Sequence, residues 1–227
     1  MYSKSHSANQ KMLEISNLPS TFKENKYLVL PSFLTEPVLS FAYSYVMMRV
    51  RSDHLWTYDP SLNKGDLSQK KLPWDYGDPQ KEELLGAQWD YADPLTEMLL
   101  EKVRPRLETA TGIKLFPTYS YLRVYKKGNK LGKHRDRPSC EVSVTLTLGL
   151  DGSTKWPIYI EHPKGISAIH LNAGDALAYR GCEVPHWRDI FEGDHQVQVF
   201  MHYVDQNGLL AQWRFDKRRQ LGPIPFG

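Results

Sequence analysis

The chain has 227 residues, a formal net charge of +3, 41% hydrophobic residues and 24% charged ones. That balance fits one soluble globular domain with a full core, and the charge is too small to specify nucleic acid by itself. No apolar run approaches the roughly 18 residues that span a bilayer, and two cysteines, Cys140 and Cys182, cannot build a disulfide framework.

Residues 1–26, opening "MYSKSHSANQK", read as a polar arm without the apolar core of a secretion signal, so a cytoplasmic location is expected. Residues 27–227 read as a single domain: strand, helices and a lid loop over 27–112, a jelly-roll core over 113–204 and a tail over 205–227. "KYLVLPSFLTEPVLSFAYSYVMMRV" predicts a short strand, a Pro-Ser break and a helix with Thr35 as cap and Pro37 in its first turn. Residues 51–92 lack periodicity and carry Trp56, Trp74, Tyr76 and Trp89, which suits a lid or substrate platform or a loop pinned to the core. "DPLTEMLLEKVRPRLETATG" predicts a second helix capped by Asp93 and ended by Gly112. Its apolar face is Leu95, Met98, Leu99 and Val103, and Pro105 should kink or split it.

From residue 113 the chain becomes a series of short β-branched and aromatic runs: "KLFPTYSYLRVY", "EVSVTLTLG", "KWPIYIEH", "GISAIHL", "ALAYRG" and "QVQVFMHYV". Turn signals such as "KKGNK", "LDGST" and "NAGD" separate them. The fold class is therefore mainly β with flanking N-terminal helices (α+β), a sandwich or jelly roll. In "EVSVTLTLG", Val142, Val144, Leu146 and Leu148 share one face and Ser143, Thr145 and Thr147 the other. The first face can pack on helices while the hydroxyl face lines a cavity.

Just before that strand, "KHRDRPSC" holds His134 and Asp136 in an H-x-D pair. Two histidines and one carboxylate can hold non-haem Fe(II) on one face, leaving the other positions open. The second histidine must come from elsewhere, and His162, His170, His186, His195 and His202 are all downstream. A cluster of six basic residues among positions 126–137 is either a solvated loop or a patch that steers an acidic partner. Cys140 and Cys182 read as buried, inert small residues.

Three segments, "YLVLPSFLTEPV", "RVYKKGNKLGKHRD" and "AGDALAYRGCEVPHW", resemble the Fe(II)/2-oxoglutarate-dependent oxygenases, in particular their prolyl 4-hydroxylase-like branch. The resemblance covers most of the chain, and the 50 residues between Asp136 and His186 match it. It implies a double-stranded β-helix with His134, Asp136 and His186 as iron ligands, and Fe(II), 2-oxoglutarate and O2 as the reacting set. It also implies hydroxylation of an unactivated C–H bond with release of succinate and CO2. Tyr125, nine residues before His134, matches a family tyrosine that bonds the co-substrate. The sequence departs from the family at the basic residue for the far carboxylate of 2-oxoglutarate, since no Arg or Lys lies nine to eleven residues after His186. His195 best matches that position, with Arg123 and then Arg188 as substitutes. The missing basic residue supports a rival reading, a non-catalytic jelly-roll module with a vestigial metal site. Nucleic acid is disfavoured because the paired arginines of the dealkylase branch are absent. A peptidyl side chain, a free amino acid and a small metabolite all stay open as substrates.

Overall fold

The computed structural model describes residues 21–58, 75–76, 86–151 and 155–222. In chain order the elements are β1 (Tyr27–Leu30), α1 (Glu36–Tyr58), β2 (Asp75–Tyr76), β3 (Gln88–Tyr91), α2 (Pro94–Thr111) and β4 (Leu115–Lys126). There follow β5 (Leu131–His134), β6 (Val142–Leu150), β7 (Ile158–His162), β8 (Gly165–Ile169), β9 (Ala176–Tyr179), β10 (His186–Arg188) and β11 (His195–Asp205). A seven-stranded antiparallel sheet runs β1-β9-β6-β11-β4-β3-β2, and a four-stranded one runs β5-β10-β7-β8. The expected side chains of Trp56, Trp74 and Tyr76 lie outside the described residues, as does most of the proposed lid loop.

Strand alternation divides the large sheet into two chemistries. Val142, Val144, Leu146 and Leu148 of β6 join Val197, Val199 and Met201 of β11 on the helix side, against Leu100, Val103 and Leu107 of α2 and Val46 of α1. The opposite side carries Ser143, Thr145 and Thr147, with Gln198 accepting from Thr145 (3.0 Å) and donating to Thr147 (2.7 Å). Every one of these polar groups is buried, so each must find a partner inside. Two smaller clusters fill the space between the sheets: Tyr125, Trp156, Phe191 and Phe200 in one, Ile158, Ile160, Leu177 and Tyr179 in the other. Leu146 is fully enclosed on the helix side. Leu146→Ala should therefore cost about 2–5 kcal/mol of stability, read by urea unfolding, with metal affinity unchanged.

Helix α2 begins as expected. Asp93 accepts from the backbone N–H of Leu95 and Thr96, Pro94 occupies the first turn, and Gly112 closes the helix at φ 72°. The Asp93 carboxylate also receives Tyr45 (2.8 Å) and Arg49 of α1, so one cap ties the two helices. The helix does not split at Pro105; it runs unbroken to Thr111. Leu99, Leu100, Val103 and Leu107 are buried on either side of the proline, and that burial outweighs the single missing N–H donor. Met98, expected on the apolar face, is instead 70% exposed; the buried stripe runs through Leu100 and Leu107.

Both ends of the described chain pack onto the domain. Residues 21–25 form a helical turn whose Phe22 is in the main core, so packed chain begins before residue 27. The basic tail is anchored: Arg218 donates to buried Glu97 (2.6 Å) and to the Thr118 carbonyl (3.0 Å), and Asp216 pairs with Arg137 (2.7 and 2.8 Å) and Tyr91 (2.6 Å). Arg137 sits one residue past Asp136, so the tail braces the H-x-D loop.

Candidate metal centre

His134 ends β5 and His186 begins β10, and the two are direct cross-strand partners. Side chains so paired stand on one face within contact distance, and the ring centroids are 4.3 Å apart. Asp136 lies in the loop after β5, fixed by its N–H on the Gly181 carbonyl (2.9 Å) just past β9. Its Oδ1 is 3.5 Å from Nε2 of His134 and 3.5 Å from Nε2 of His186. The three donor atoms lie within 4.8 Å of one another. Donors each about 2.1 Å from one metal ion stand roughly 3–4 Å apart.

The outer contacts aim these atoms. Nδ1 of His134 donates to the Gly132 carbonyl (2.8 Å) and Nδ1 of His186 to the Val184 carbonyl (3.1 Å), which leaves both Nε2 lone pairs inward. Ser143 Oγ donates to Asp136 Oδ2 (2.7 Å), leaving Oδ1 for a metal. A hydroxyl has one proton, so the 3.0 Å contact between Ser143 Oγ and His202 Nδ1 is donated by the imidazole. Burial depresses the His202 pKa to about 4, and the ring stays neutral in that role. The donor set, two neutral imidazoles and one carboxylate, fits a divalent transition metal.

Gly181 completes the cradle. A Cβ there would overlap Asp136 Oδ2, the Cys140 carbonyl and Ser143 Oγ. Cys140 lies near Asp136 and His202, but burial pushes its thiol up to about 12 and Tyr119 OH meets it at 3.2 Å, so it remains a thiol. Cys182 is only partly buried, unlike the sequence expectation for it.

Ser143→Ala should weaken metal binding about ten- to hundredfold, as loss of an outer-shell partner does. Calorimetry with Zn(II) measures it. Proton competition gives a second expectation. The Asp136 contact raises the His134 pKa above 6.5 against the opposing effect of burial. A metal must displace that proton, so affinity should be flat above the raised pKa. It should fall as pH drops through it, by about tenfold per pH unit for one proton. Zn(II) or Ni(II) titrations across that interval read the slope.

The triad opens into a cavity of about 510 Å³ lined by Tyr119, Tyr121, Arg123, Lys133, Phe200 and His202, among others. Tyr125 is fully buried and receives Arg123 Nη1 at 3.3 Å, while Arg123 Nη2 donates to Tyr121 (3.1 Å). The loop cations near the mouth are largely engaged: Lys133 pairs with Glu161, and Arg135 donates to the Glu183 carbonyl (3.0 Å).

His195 is not at the cavity. It shares the phase of Val197, Val199 and Met201 on β11, so it faces the helices, and its Nε2 meets Tyr43 OH of α1 at 2.8 Å. Strand alternation directs it away from the co-substrate role that the sequence suggested. His162 bonds Ser167 in the β7–β8 hairpin and His170 is exposed.

The fold has known counterparts. The epimerase SnoN, in complex with Fe3+, alpha ketoglutarate and nogalamycin RO, superposes with a TM-score of 0.62 at 11% identity, over 95% of this chain and 94% of that one. The chain has the fold of the Fe(II)/2-oxoglutarate-dependent oxygenases, the double-stranded β-helix. The same oxygenase fold is seen in a Pseudomonas putida prolyl-4-hydroxylase (TM-score 0.54, 14% identity, 84% of this chain and 98% of that one). It is seen again in HygX from Streptomyces hygroscopicus with nickel, 2-oxoglutarate and hygromycin B bound (0.58, 12%, 89% and 93%). No family model and no curated protein matches the sequence. In this oxygenase fold His134 and His186 sit on the β5–β10 edge of the four-stranded sheet, and Asp136 is tied to Gly181 after β9 and to Ser143 of β6, beside the cavity.

Proposed function

We propose that the protein is an Fe(II)/2-oxoglutarate-dependent oxygenase that hydroxylates an unactivated C–H bond. The observation that carries this reading is the convergence of His134 Nε2, Asp136 Oδ1 and His186 Nε2 on one point of a cavity wall. The metal when bound supplies oxygen-activating redox chemistry, in which substrate, O2 and 2-oxoglutarate become hydroxylated substrate, succinate and CO2. The chain's own residues bind and orient. His134 and His186 present neutral nitrogens, Ser143 and His202 hold the carboxylate, and the half-open cavity leaves the far side of the triad to the reactants. Tyr125 and Arg188 are buried side chains available to a dicarboxylate. The structural counterparts include a prolyl-4-hydroxylase, an epimerase in complex with nogalamycin RO and HygX with hygromycin B bound, and the fold is common to all.

The rival reading, a module with a vestigial site, drew on the missing basic residue after His186. Arg188, buried, and Arg123, in the cavity lining, offset that absence. Both cysteines are unbridged, and among the described residues no helix is long and apolar enough to cross a membrane. Both facts suit the cytoplasmic placement we favour.

Succinate formation from 2-oxoglutarate tests the function. Iron-dependent succinate and CO2 release, stimulated by a substrate that gains one oxygen by mass spectrometry, is the expected result. A metal-bound protein that never consumes 2-oxoglutarate across a metabolite pool would favour the module.

A further inference from the structure

Two guanidinium groups lie on the cavity side of the sheets, Arg188 buried and Arg123 half-buried, and among the described residues neither meets a carboxylate. Arg188 follows His186 by two residues on β10, so both project to the same face. It is 2% exposed; Nη1 donates to the Trp156 carbonyl (2.7 Å), the group stacks over the Trp156 ring (4.8 Å), and Nε and Nη2 have no partner. Burial lowers the pKa of its guanidinium to about 10, and Tyr179 nearby lines the cavity. Arg123, on the cavity face of β4, donates Nη1 and Nη2 to Tyr125 and Tyr121, and its Nε is unpartnered. A buried cation without an anion is costly. Enclosed Arg188, with Arg123 at the cavity wall, calls for anions brought from outside.

The arginines differ in access: Arg123 lines the open cavity, whereas Arg188 does not and is enclosed. Charge balance then separates their tasks. A divalent metal, the Asp136 carboxylate and a dicarboxylate sum to one negative charge, which a single guanidinium cancels. The other is left over, on the open side. The cavity lining carries Arg123 beside the one carboxylate of Asp136, while Lys133 in the same lining is already paired with Glu161.

We propose that Arg188 holds the far carboxylate of 2-oxoglutarate, and that Arg123 receives an anionic group, a carboxylate in chemical class, on the substrate. This rests on the oxygenase reading above. It replaces the expected basic position after His186 with one reached two residues along the same strand. It also narrows the substrate to acids that can lie against Tyr119, Tyr121 and Phe200.

The test uses the full chain loaded with Zn(II) under nitrogen. 2-Oxoglutarate titrated by calorimetry should bind the native protein. Arg188→Met, which keeps the volume without the charge, should weaken it about ten- to hundredfold, as loss of a charged hydrogen bond does. Arg188→Lys should fall between, and Arg123→Gln should stay within about threefold of native. Circular dichroism and the Zn(II) affinity of each variant show whether it has folded. Into the protein saturated with 2-oxoglutarate, benzoate and benzamide are then titrated as probes. Benzoate should bind at least tenfold tighter than benzamide, and Arg123→Gln should erase the difference. Loss of 2-oxoglutarate affinity in Arg123→Gln but not in either Arg188 variant would overturn the assignment. Equal binding of benzoate and benzamide would overturn the anionic substrate. A native protein that binds Zn(II) but no 2-oxoglutarate would overturn the oxygenase reading itself, an outcome distinct from a native protein that binds it without need of Arg188.

Discussion

Alanine at His134, Asp136 or His186 will reduce divalent-metal affinity by more than the ten- to hundredfold that loss of an outer contact costs, and iron-dependent succinate formation will disappear. Each removes one of three donor atoms converging on the same point. The fold should survive, because the main core lies on the helix side of the large sheet, with none of the three in it. Alanine at His162 or His170 serves as the control and should leave affinity unchanged, since one lies in a distant hairpin and the other is exposed. His202 is a different case. It lies inside β11, and its hydrogen bond with Ser143 joins it to the Asp136 carboxylate. Calorimetry with Zn(II), with circular dichroism for each variant, separates the three outcomes. Unchanged affinity in any ligand variant would remove that residue from the site.

Gly181→Ala should be nearly as damaging, although Gly181 has no side chain to offer. Its φ lies outside the left-handed region, so the backbone would accept alanine; the obstacle is space. The added methyl must displace Asp136, Ser143 or the Cys140 carbonyl, and each displacement moves the carboxylate that the histidines face. Metal affinity should fall at least about tenfold, with overall stability reduced by the roughly 1–3 kcal/mol that overpacking costs. Gly128→Ala is the contrast. Nothing lies within 4 Å of a Cβ there and φ is 88°, so it should lose stability through backbone strain while binding metal normally. Equal metal affinity in the two variants would show that Gly181 does not shape the cradle.

The parts legible in the sequence were those governed by local periodicity or by spacing. The alternation of "EVSVTLTLG" correctly separated a helix-packed face from a polar interior one, because period two has only two phases. Asp93, Pro94 and Gly112 marked the second helix for similarly local reasons. His195 misled because similarity of spacing to a family position was weighed without strand phase. In "HQVQVFMHYV" the apolar phase of Val197, Val199 and Met201 includes His195, and that phase turns to the helices. The same reasoning would have promoted Arg188, which is in phase with His186. Other parts had no local signal. The Asp216–Arg137 pair spans 79 residues, and Gly181 matters only because Asp136, Cys140 and Ser143 surround it. Such contacts depend on how distant segments meet, and no motif records them.

A metal held by the triad should in turn recruit 2-oxoglutarate. The most direct test is equilibrium binding of 2-oxoglutarate under nitrogen to the native protein with and without Zn(II), beside His186→Ala under the same conditions. Tight binding is expected only with metal present, weakened by at least about tenfold in the variant and in the metal-free protein. Binding of equal strength with and without metal, or none in either state, would contradict it.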